Sequence, residues 1–369
     1  MRVAEIVGKI KAGGVESVVF EYLRRIDLTD LEIDVLYDDD SDYAPPGDIA
    51  ARGIGIIKIP AYQKLPKYMS TVKKICRERR YDIVHSHINA LSCFPLRAAK
   101  RAGVACRIAH DHTTSSKSDG WRDVVKRAAR GASARAATDY AACSEAAARW
   151  MFGDRTVDAG EVRIIPNVTD PARFAYSEIS RDALRRELGL GDSFVLLHIG
   201  RFVKTKNHQF TLDAFDALTK RRPGSKLILV GDGELSDDIK RRAAGMSCRD
   251  DIIFTGVVAD PERYYSAADA LILPSFYEGL PVVVIEAQSS GLPCFVSDRV
   301  TKECDVSGAV RYLSISSPPD EWAKAVSVVA PQERVSAHEA IEGTGFDIGV
   351  SAKLLRDYYF EVAHGRRKR

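Results

Sequence analysis

The stretch that most constrains this chain lies at residues 269–293. Ala270-Leu271-Ile272-Leu273 is apolar at every position and is bounded by Asp269 and Pro274. A run without polar alternation reads as a strand buried on both faces, the kind found in parallel sheets. A short turn, residues 275–280, follows. Pro281 then stands where a first helical residue belongs, because its fixed φ suits that position and its missing N–H leaves nothing unpaired. The helix is predicted to run to about Ser290 and to close at Gly291 and Pro293. Glu278 falls in the turn. Glu286, with seven residues between the two, falls about a turn and a half inside the helix. Backbone N–H groups of Gly279 and Leu280 are expected to face the crevice at the sheet's carboxyl edge, where open α/β sheets bind ligands. Glu286 has apolar neighbours, so its carboxylate needs a donor, and a pair of sugar hydroxyls would supply one. The plainer reading is an ordinary strand-turn-helix with a capping Glu.

The same rhythm recurs along the chain. Strands are predicted at residues 3–7, 33–36, 55–59, 82–85, 105–109, 139–143 and 162–165, then at 194–199, 226–230, 252–255, 270–273, 294–297 and 311–313. Helical segments separate most of them, which predicts an α/β fold of doubly wound parallel sheets. Residues 170–193 read as the connection between two halves. A last helix at about 348–362 is predicted to gather Leu354, Leu355, Tyr358, Tyr359 and Val362 on one face. A length of 369 residues suits two domains. A net charge of +3 argues against a nucleic-acid partner. The seven Cys are scattered without a Cys-x-x-Cys pair, and no leader precedes them, so reduced thiols and a cytoplasmic location are expected.

Cations for phosphate oxygens are concentrated in Gly200-Arg201-Phe202-Val203-Lys204-Thr205-Lys206-Asn207-His208, directly after a predicted strand. Arg offers a planar fork and Lys a point charge, and both suit a diphosphate. A solvated basic loop is the bland alternative. Gly231-Asp232-Gly233-Glu234 reads as a turn before a helix with an acidic first turn. Gly13-Gly14 precedes a helix and lets backbone approach a ligand, but the G-x-G-x-x-G fingerprint is absent. Ser144 is a natural N-cap. His85/His87 and His110/His112 lie at strand ends, where alternation puts each pair on one face. That pattern invites a metal, yet no carboxylate or Cys stands with them at ligand spacing, so no metal is expected.

Glu-x7-Glu after a strand ending Leu-Pro-Ser resembles the signature of the retaining glycosyltransferases of family 4. The Gly-Arg…Lys…Lys-Asn, Gly-Asp-Gly-Glu and Ala-Cys-Ser-Glu segments resemble that family as well. The resemblance covers nearly the whole chain and is closest to enzymes that build capsular polysaccharides or exopolysaccharides. It implies the GT-B fold, two Rossmann-like doubly wound domains facing across a cleft. Residues 1–170 would form the acceptor-side domain and 171–345 the nucleotide-sugar-binding domain, with 346–369 a helix crossing back to the first domain and a basic tail. It places Glu278 at the donor sugar, Glu286 on the ribose, and Arg201 and Lys206 on the diphosphate. Gly279 and Leu280 join the donor site, Val257 contacts the base, and Gly14 lies over the donor phosphates. His110 would touch the donor sugar or acceptor as a second catalytic residue, with Asp111 and His112 positioning the acceptor. The implied reaction moves a sugar, with retention, from a nucleotide-diphosphate donor of the UDP-sugar type to a glycan hydroxyl. The implied acceptor is linked to a polyprenyl diphosphate at the inner face of the cytoplasmic membrane. Neither metal nor cofactor is implied, since Arg201, Lys206 and helix N–H groups would carry the leaving-group charge. A nucleotide-sugar epimerase of the same fold and a catalytically silent glycan-binding subunit remain as rival readings.

Residues 64–80 suggest a membrane surface. Tyr68, Met69, Val72, Ile75 and Cys76 share one helical face, with Lys67, Lys73, Lys74, Arg77, Arg79 and Arg80 on the rest. Residues 121–135 add Arg122, Lys126, Arg127, Arg130 and Arg135. The expectation is reversible contact with an anionic bilayer, or two solvated helices packed on the sheet.

Overall fold

A computed structural model describes residues 1–11, 14–112, 121–330, 334 and 337–367, apart from the side chains of 121–127 and 366–367. The chain folds into two compact units, Met1–Val168 with Ile348–Arg369, and Thr169–Asp347. In the first unit β1 (Arg2–Gly8), β2 (Glu32–Asp38), β3 (Gly55–Ile59), β4 (Ile83–Ser86), β5 (Cys106–Asp111), β6 (Asp139–Ala142) and β7 (Val162–Ile164) form one sheet ordered β3-β2-β1-β4-β5-β6-β7. In the second, β8 (Val195–Ile199), β9 (Lys226–Val230), β10 (Ile252–Gly256), β11 (Ala270–Leu273), β12 (Cys294–Ser297) and β13 (Val310–Leu313) are ordered β10-β9-β8-β11-β12-β13. Every pairing is parallel. Each predicted strand is present, with ends within about two residues of those expected.

The unbroken apolar runs explain this topology. Val3, Ala4 and Ile6 in β1, and Leu271, Ile272 and Leu273 in β11, are all fully buried. Helices therefore cover both faces of each sheet. In the second unit Leu196, Leu227, Leu229 and Ile272 pack with Phe215 and Trp322, each burial stabilising by roughly 1.5–3 kcal/mol. In each sheet the strand order reverses beside the first strand, between β1 and β4 and between β8 and β11. Doubly wound sheets bind ligands at such switch points.

The Ile348–Arg367 helix belongs to the first unit, where Leu355, Tyr358, Tyr359 and Val362 are buried. Leu354 departs from the expected face and is exposed, while Ala352 and Ala363 take part in the packing. The Leu65–Arg79 helix buries Tyr68, Val72 and Cys76, and Met69 and Ile75 pack against the same core. Its apolar face is therefore consumed in the fold, and only the basic face is left to solvent. In the Trp121–Ala136 helix the side chains of Trp121, Arg122, Lys126 and Arg127 lie outside the described residues. Arg130 stacks over the Trp150 ring at 4.9 Å and donates to the Trp150 carbonyl. Among the described residues no helix is long and apolar enough to cross a membrane.

Asp38, at the buried end of β2, gives a pH prediction. Burial and the neighbouring Asp40 push its carboxyl up to about 6. The folded state then binds more protons than the unfolded chain between about pH 4 and 6, so this group's contribution to stability falls as pH rises through that window. Asp38→Asn is expected to raise stability at pH 7.5 by about 1 kcal/mol after solvent screening. At pH 4 it should change little. Denaturant melts of both proteins at the two pH values check this, and an equal effect at both would contradict it.

Candidate active site

The loops after β8 and β11 meet at the switch point of the second unit. After β8 the chain makes a turn at Gly200, leaves Arg201 exposed and buries Phe202. A single 3-10 turn, Lys204–Lys206, leads to Asn207, whose φ of 53° is left-handed, a conformation Asn tolerates better than most residues. The His208–Arg221 helix starts there. A Cβ on Gly200 would lie 3.3 Å from Lys206 Cδ and Cε, so the glycine makes room for the lysine stem. Gly231, at φ 127°, could not carry a Cβ, which would sit 2.2 Å from the Gly200 carbonyl oxygen. The Gly-Asp-Gly-Glu turn thus buttresses the basic loop from behind.

Two hydrogen bonds tie that loop to the turn after β11. Phe276 N donates to the Thr205 carbonyl at 2.9 Å, and Asn207 Nδ2 to the Pro274 carbonyl at 3.2 Å. The stitching brings Lys206 Nζ to 2.6 Å from Glu278 Oε1, with their side chains only 17% and 15% exposed. The turn buries Gly279 and Leu280. Pro281 is the N-cap of the Val282–Ser289 helix, with ψ 102°, and does not occupy the first helical position expected for it. Glu286 lies on that helix and accepts from Tyr265 Oη at 2.5 Å. Burial first, then the carboxylate beside it, holds the Tyr265 phenol well above its usual range, so it stays a donor. One Glu286 oxygen is thereby anchored. Val257, just after β10, is half exposed.

Sequence reasoning missed Tyr265 and Arg334. The Arg334 guanidinium donates to the carbonyls of Tyr265 at 2.5 Å, Ser266 at 3.0 Å and Ser290 at 3.1 Å. It closes the C-terminal ends of the Pro261–Ala267 and Val282–Ser289 helices, where a cation suits the exposed carbonyls and the dipole. Burial lowers its pKa to about 10, which leaves it charged. His208 lies tilted against Phe202 with ring centroids 4.1 Å apart, and burial and Lys206 push it down to about 3. It adds no positive charge near neutral pH.

In the first unit Gly14, at φ 124°, is the N-cap of the Val15–Arg25 helix. Gly13 lies outside the described residues. Glu16 Oε1 accepts from Lys11 N at 2.9 Å and straps the loop. His110, Asp111 and His112 are all interior, at 2%, 0% and 6% exposure. His85, His87, His110 and His112 form one cluster, with neighbouring ring centroids 3.9 to 5.2 Å apart. The expectation that no carboxylate joins them is overturned. Glu5, on the adjacent β1, lies 2.8 Å from His87 Nε2 and 3.4 Å from His85 Nδ1. Eighty residues of sequence separation hid it. Burial alone would raise the Glu5 carboxyl, but His85 and His87 hold it well below the usual carboxylate range. Burial and His85 lower His87 to about 4, and burial with the crowding of neighbouring histidines lowers His110 and His112 well below an ordinary imidazole.

Two family models match the chain, Glycosyltransferase Family 4 over residues 12–173 and Glycosyl transferases group 1 over residues 193–330. EpsF of Bacillus subtilis (strain 168), classed as a glycosyltransferase, is 31% identical over 97% of this chain and 96% of its own. The chain belongs to the family 4 glycosyltransferases. As a glycosyltransferase it draws on nucleotide-sugar donors. It is also 30% identical, over 64% of this chain and 63% of the other, to an Escherichia coli UDP-Gal:alpha-D-GlcNAc-diphosphoundecaprenol alpha-1,3-galactosyltransferase. The fold of this glycosyltransferase matches Anabaena HepE in complex with UDP and glucose, at a TM-score of 0.80 and 18% identity, over 98% of this chain and 100% of that one. Sucrose-phosphate synthase from Thermosynechococcus elongatus gives a TM-score of 0.80 and 19% identity over 99% and 100%. Both chains share the GT-B architecture.

Proposed function

We propose that this glycosyltransferase moves a sugar from a UDP-sugar, with retention, to a hydroxyl of a lipid-linked glycan during surface polysaccharide synthesis. The observation that carries the reading is the Lys206–Glu278 pair at 2.6 Å, with Glu286 a turn and a half further on and anchored by Tyr265. A lysine paired with one carboxylate at a switch point, and a second carboxylate on the helix that follows, suit a diphosphate flanked by two sugars, the ribose and the transferred residue. Lys206 and the exposed Arg201 take the phosphate oxygens, Glu286 the ribose hydroxyls, and Glu278 the hydroxyls of the donor sugar. Gly279 and Leu280 line the phosphate side, and Val257 offers an apolar ledge to the base. The E. coli relative's UDP donor and diphosphoundecaprenol-linked acceptor support the donor and acceptor classes. His110 serves the sugar or acceptor, with His112, 3.9 Å away ring to ring, holding it. Asp111 and His112 position the acceptor in this reading. Calorimetry with UDP, GDP and ADP tests the donor assignment. UDP should bind tightest, and equal weak binding of all three would overturn it.

Protein cations replace a metal at the diphosphate. UDP affinity should therefore be the same in EDTA and in millimolar Mg²⁺, and a tenfold gain with Mg²⁺ would refute the clamp.

The acceptor places the enzyme peripherally on the inner face of the cytoplasmic membrane, held by charge alone. Lys67, Lys74, Arg77, Arg79 and Arg80 are exposed on the Leu65–Arg79 helix and at its end, and each contributes about 1 kcal/mol near an anionic surface. Sedimentation with anionic liposomes should show binding at low salt that is lost at high salt. Equal binding to neutral liposomes would contradict a purely electrostatic contact, since the apolar face of the helix is already used.

A further inference from the structure

We propose that the four-histidine cluster of the first unit binds one divalent ion of the borderline class that includes Zn²⁺, Co²⁺ and Ni²⁺. The inference goes beyond the transfer reaction and rests on where each ring hydrogen must sit. A carboxylate only accepts hydrogen bonds. Tyr359 gives its hydroxyl hydrogen to Glu5 Oε1, so its oxygen is left to accept from His85 Nδ1, 2.7 Å away. His87 Nε2 stands 2.8 Å from Glu5 Oε2 and therefore carries a hydrogen. His112 Nδ1 faces Asn167 Oδ1 at 3.0 Å and carries one too.

Three rings thus commit their N–H groups to acceptors at the rim of the cluster. Their other nitrogens, His85 Nε2, His87 Nδ1 and His112 Nε2, are lone pairs turned toward neighbouring rings. His87 Nδ1 and His112 Nε2 are 2.9 Å apart with no hydrogen left to place between them. Two lone pairs at that distance repel unless they share a cation. His85 Nε2 stands 3.1 Å from His110 Nδ1, and ring nitrogens of His85, His87 and His110 lie within 4.8 Å of one another.

With metal–nitrogen bonds near 2.0–2.1 Å, two nitrogens on one tetrahedral ion are roughly 3.3 Å apart. The pairs at 2.9 Å and 3.1 Å therefore need to open by a few tenths of an ångström, and pairs out to 4.8 Å to close by up to about 1.5 Å. Glu5, the Tyr359 oxygen and Asn167 already do what outer-shell partners do at metal sites: they fix the tautomer and turn the free nitrogen inward. An imidazole set excludes Mg²⁺ and Ca²⁺, which take oxygen ligands, and favours the later transition metals. The frame is rigid, because β1, β4 and β5 are neighbours in one sheet.

The test uses the full chain without added affinity-tag histidines, stripped by a strong chelator and titrated with Co²⁺. The expected result is one Co²⁺ per chain, with visible d–d absorption of a four- or five-coordinate ion, displacement by Zn²⁺ and no response to Mg²⁺. His87→Gln and His110→Gln should each weaken uptake at least tenfold. His338→Ala, a residue outside the cluster, should leave it unchanged. Absence of stoichiometric uptake would overturn the proposal, as would uptake indifferent to both cluster variants. Ring ¹⁵N spectra of the unsubstituted chain decide the matter without any variant. A proton shared by His87 and His112 in the presence of Zn²⁺ would show that the cation is H⁺ and overturn it. UDP binding measured on the same samples reports separately on the donor reading.

Discussion

Glu286→Ala is expected to weaken binding of bare UDP about a hundredfold. Two charge-assisted hydrogen bonds to the ribose are lost, together about 3 kcal/mol, and each 1.4 kcal/mol is a factor of ten. The same substitution removes the acceptor of the Tyr265 hydroxyl, which is buried and 2.5 Å from the carboxylate. Tyr265→Phe keeps the carboxylate but frees its anchored oxygen, and a drop of about tenfold is expected from lost preorganisation. Glu278→Gln should behave differently. It leaves bare UDP affinity within a few-fold and depresses turnover, because its partner on the ligand is the sugar. Calorimetry with UDP on the three variants checks the order. If Glu286→Ala and Glu278→Gln lose UDP equally, the separation of ribose from sugar is wrong.

Lys206→Ala is the second large effect. The charge that faces the diphosphate is removed, and UDP affinity should fall ten- to a hundredfold for a contact of roughly 1.5–3 kcal/mol. Glu278 then stands largely buried beside a missing partner, and a broken pair of this kind also lowers stability. The double variant Lys206→Ala/Glu278→Gln should regain much of the stability while UDP binding stays weak. That outcome separates the lysine's structural role from its ligand role through a double-mutant cycle. If the double variant restored UDP affinity, Lys206 would have no place on the phosphate.

The sequence was informative where a local pattern has one physical solution. The thirteen predicted strands are all found among the described residues, and the plainest of them, such as 270–273, have no polar face to give to solvent. Glu278, Glu286, Arg201 and Lys206 were singled out because each follows a predicted strand end in a pattern that resembles the family, and the fold brings Lys206 to 2.6 Å from Glu278. Partners brought by the sheet order were not legible. Tyr265 reaches Glu286 from another helix, and Glu5 reaches His87 because β1 and β4 are neighbours only after folding. Arg334 carries no local signal, since its partners are the last carbonyls of two distant helices. The Leu65–Arg79 segment shows the opposite case. Its amphipathic pattern was visible, but periodicity does not say whether sheet or bilayer covers the apolar face, and the sheet does.

The central claim is retaining sugar transfer from a nucleotide donor. Its most direct measurement is ¹H NMR of the anomeric protons while the chain turns over UDP-glucose and UDP-galactose with candidate glycan acceptors. The account predicts release of UDP together with an α-configured product as the first species formed, at a rate lost in Glu278→Gln and Lys206→Ala. A β-configured first product would contradict retention, and interconversion of the two donors without UDP release would make the protein an epimerase.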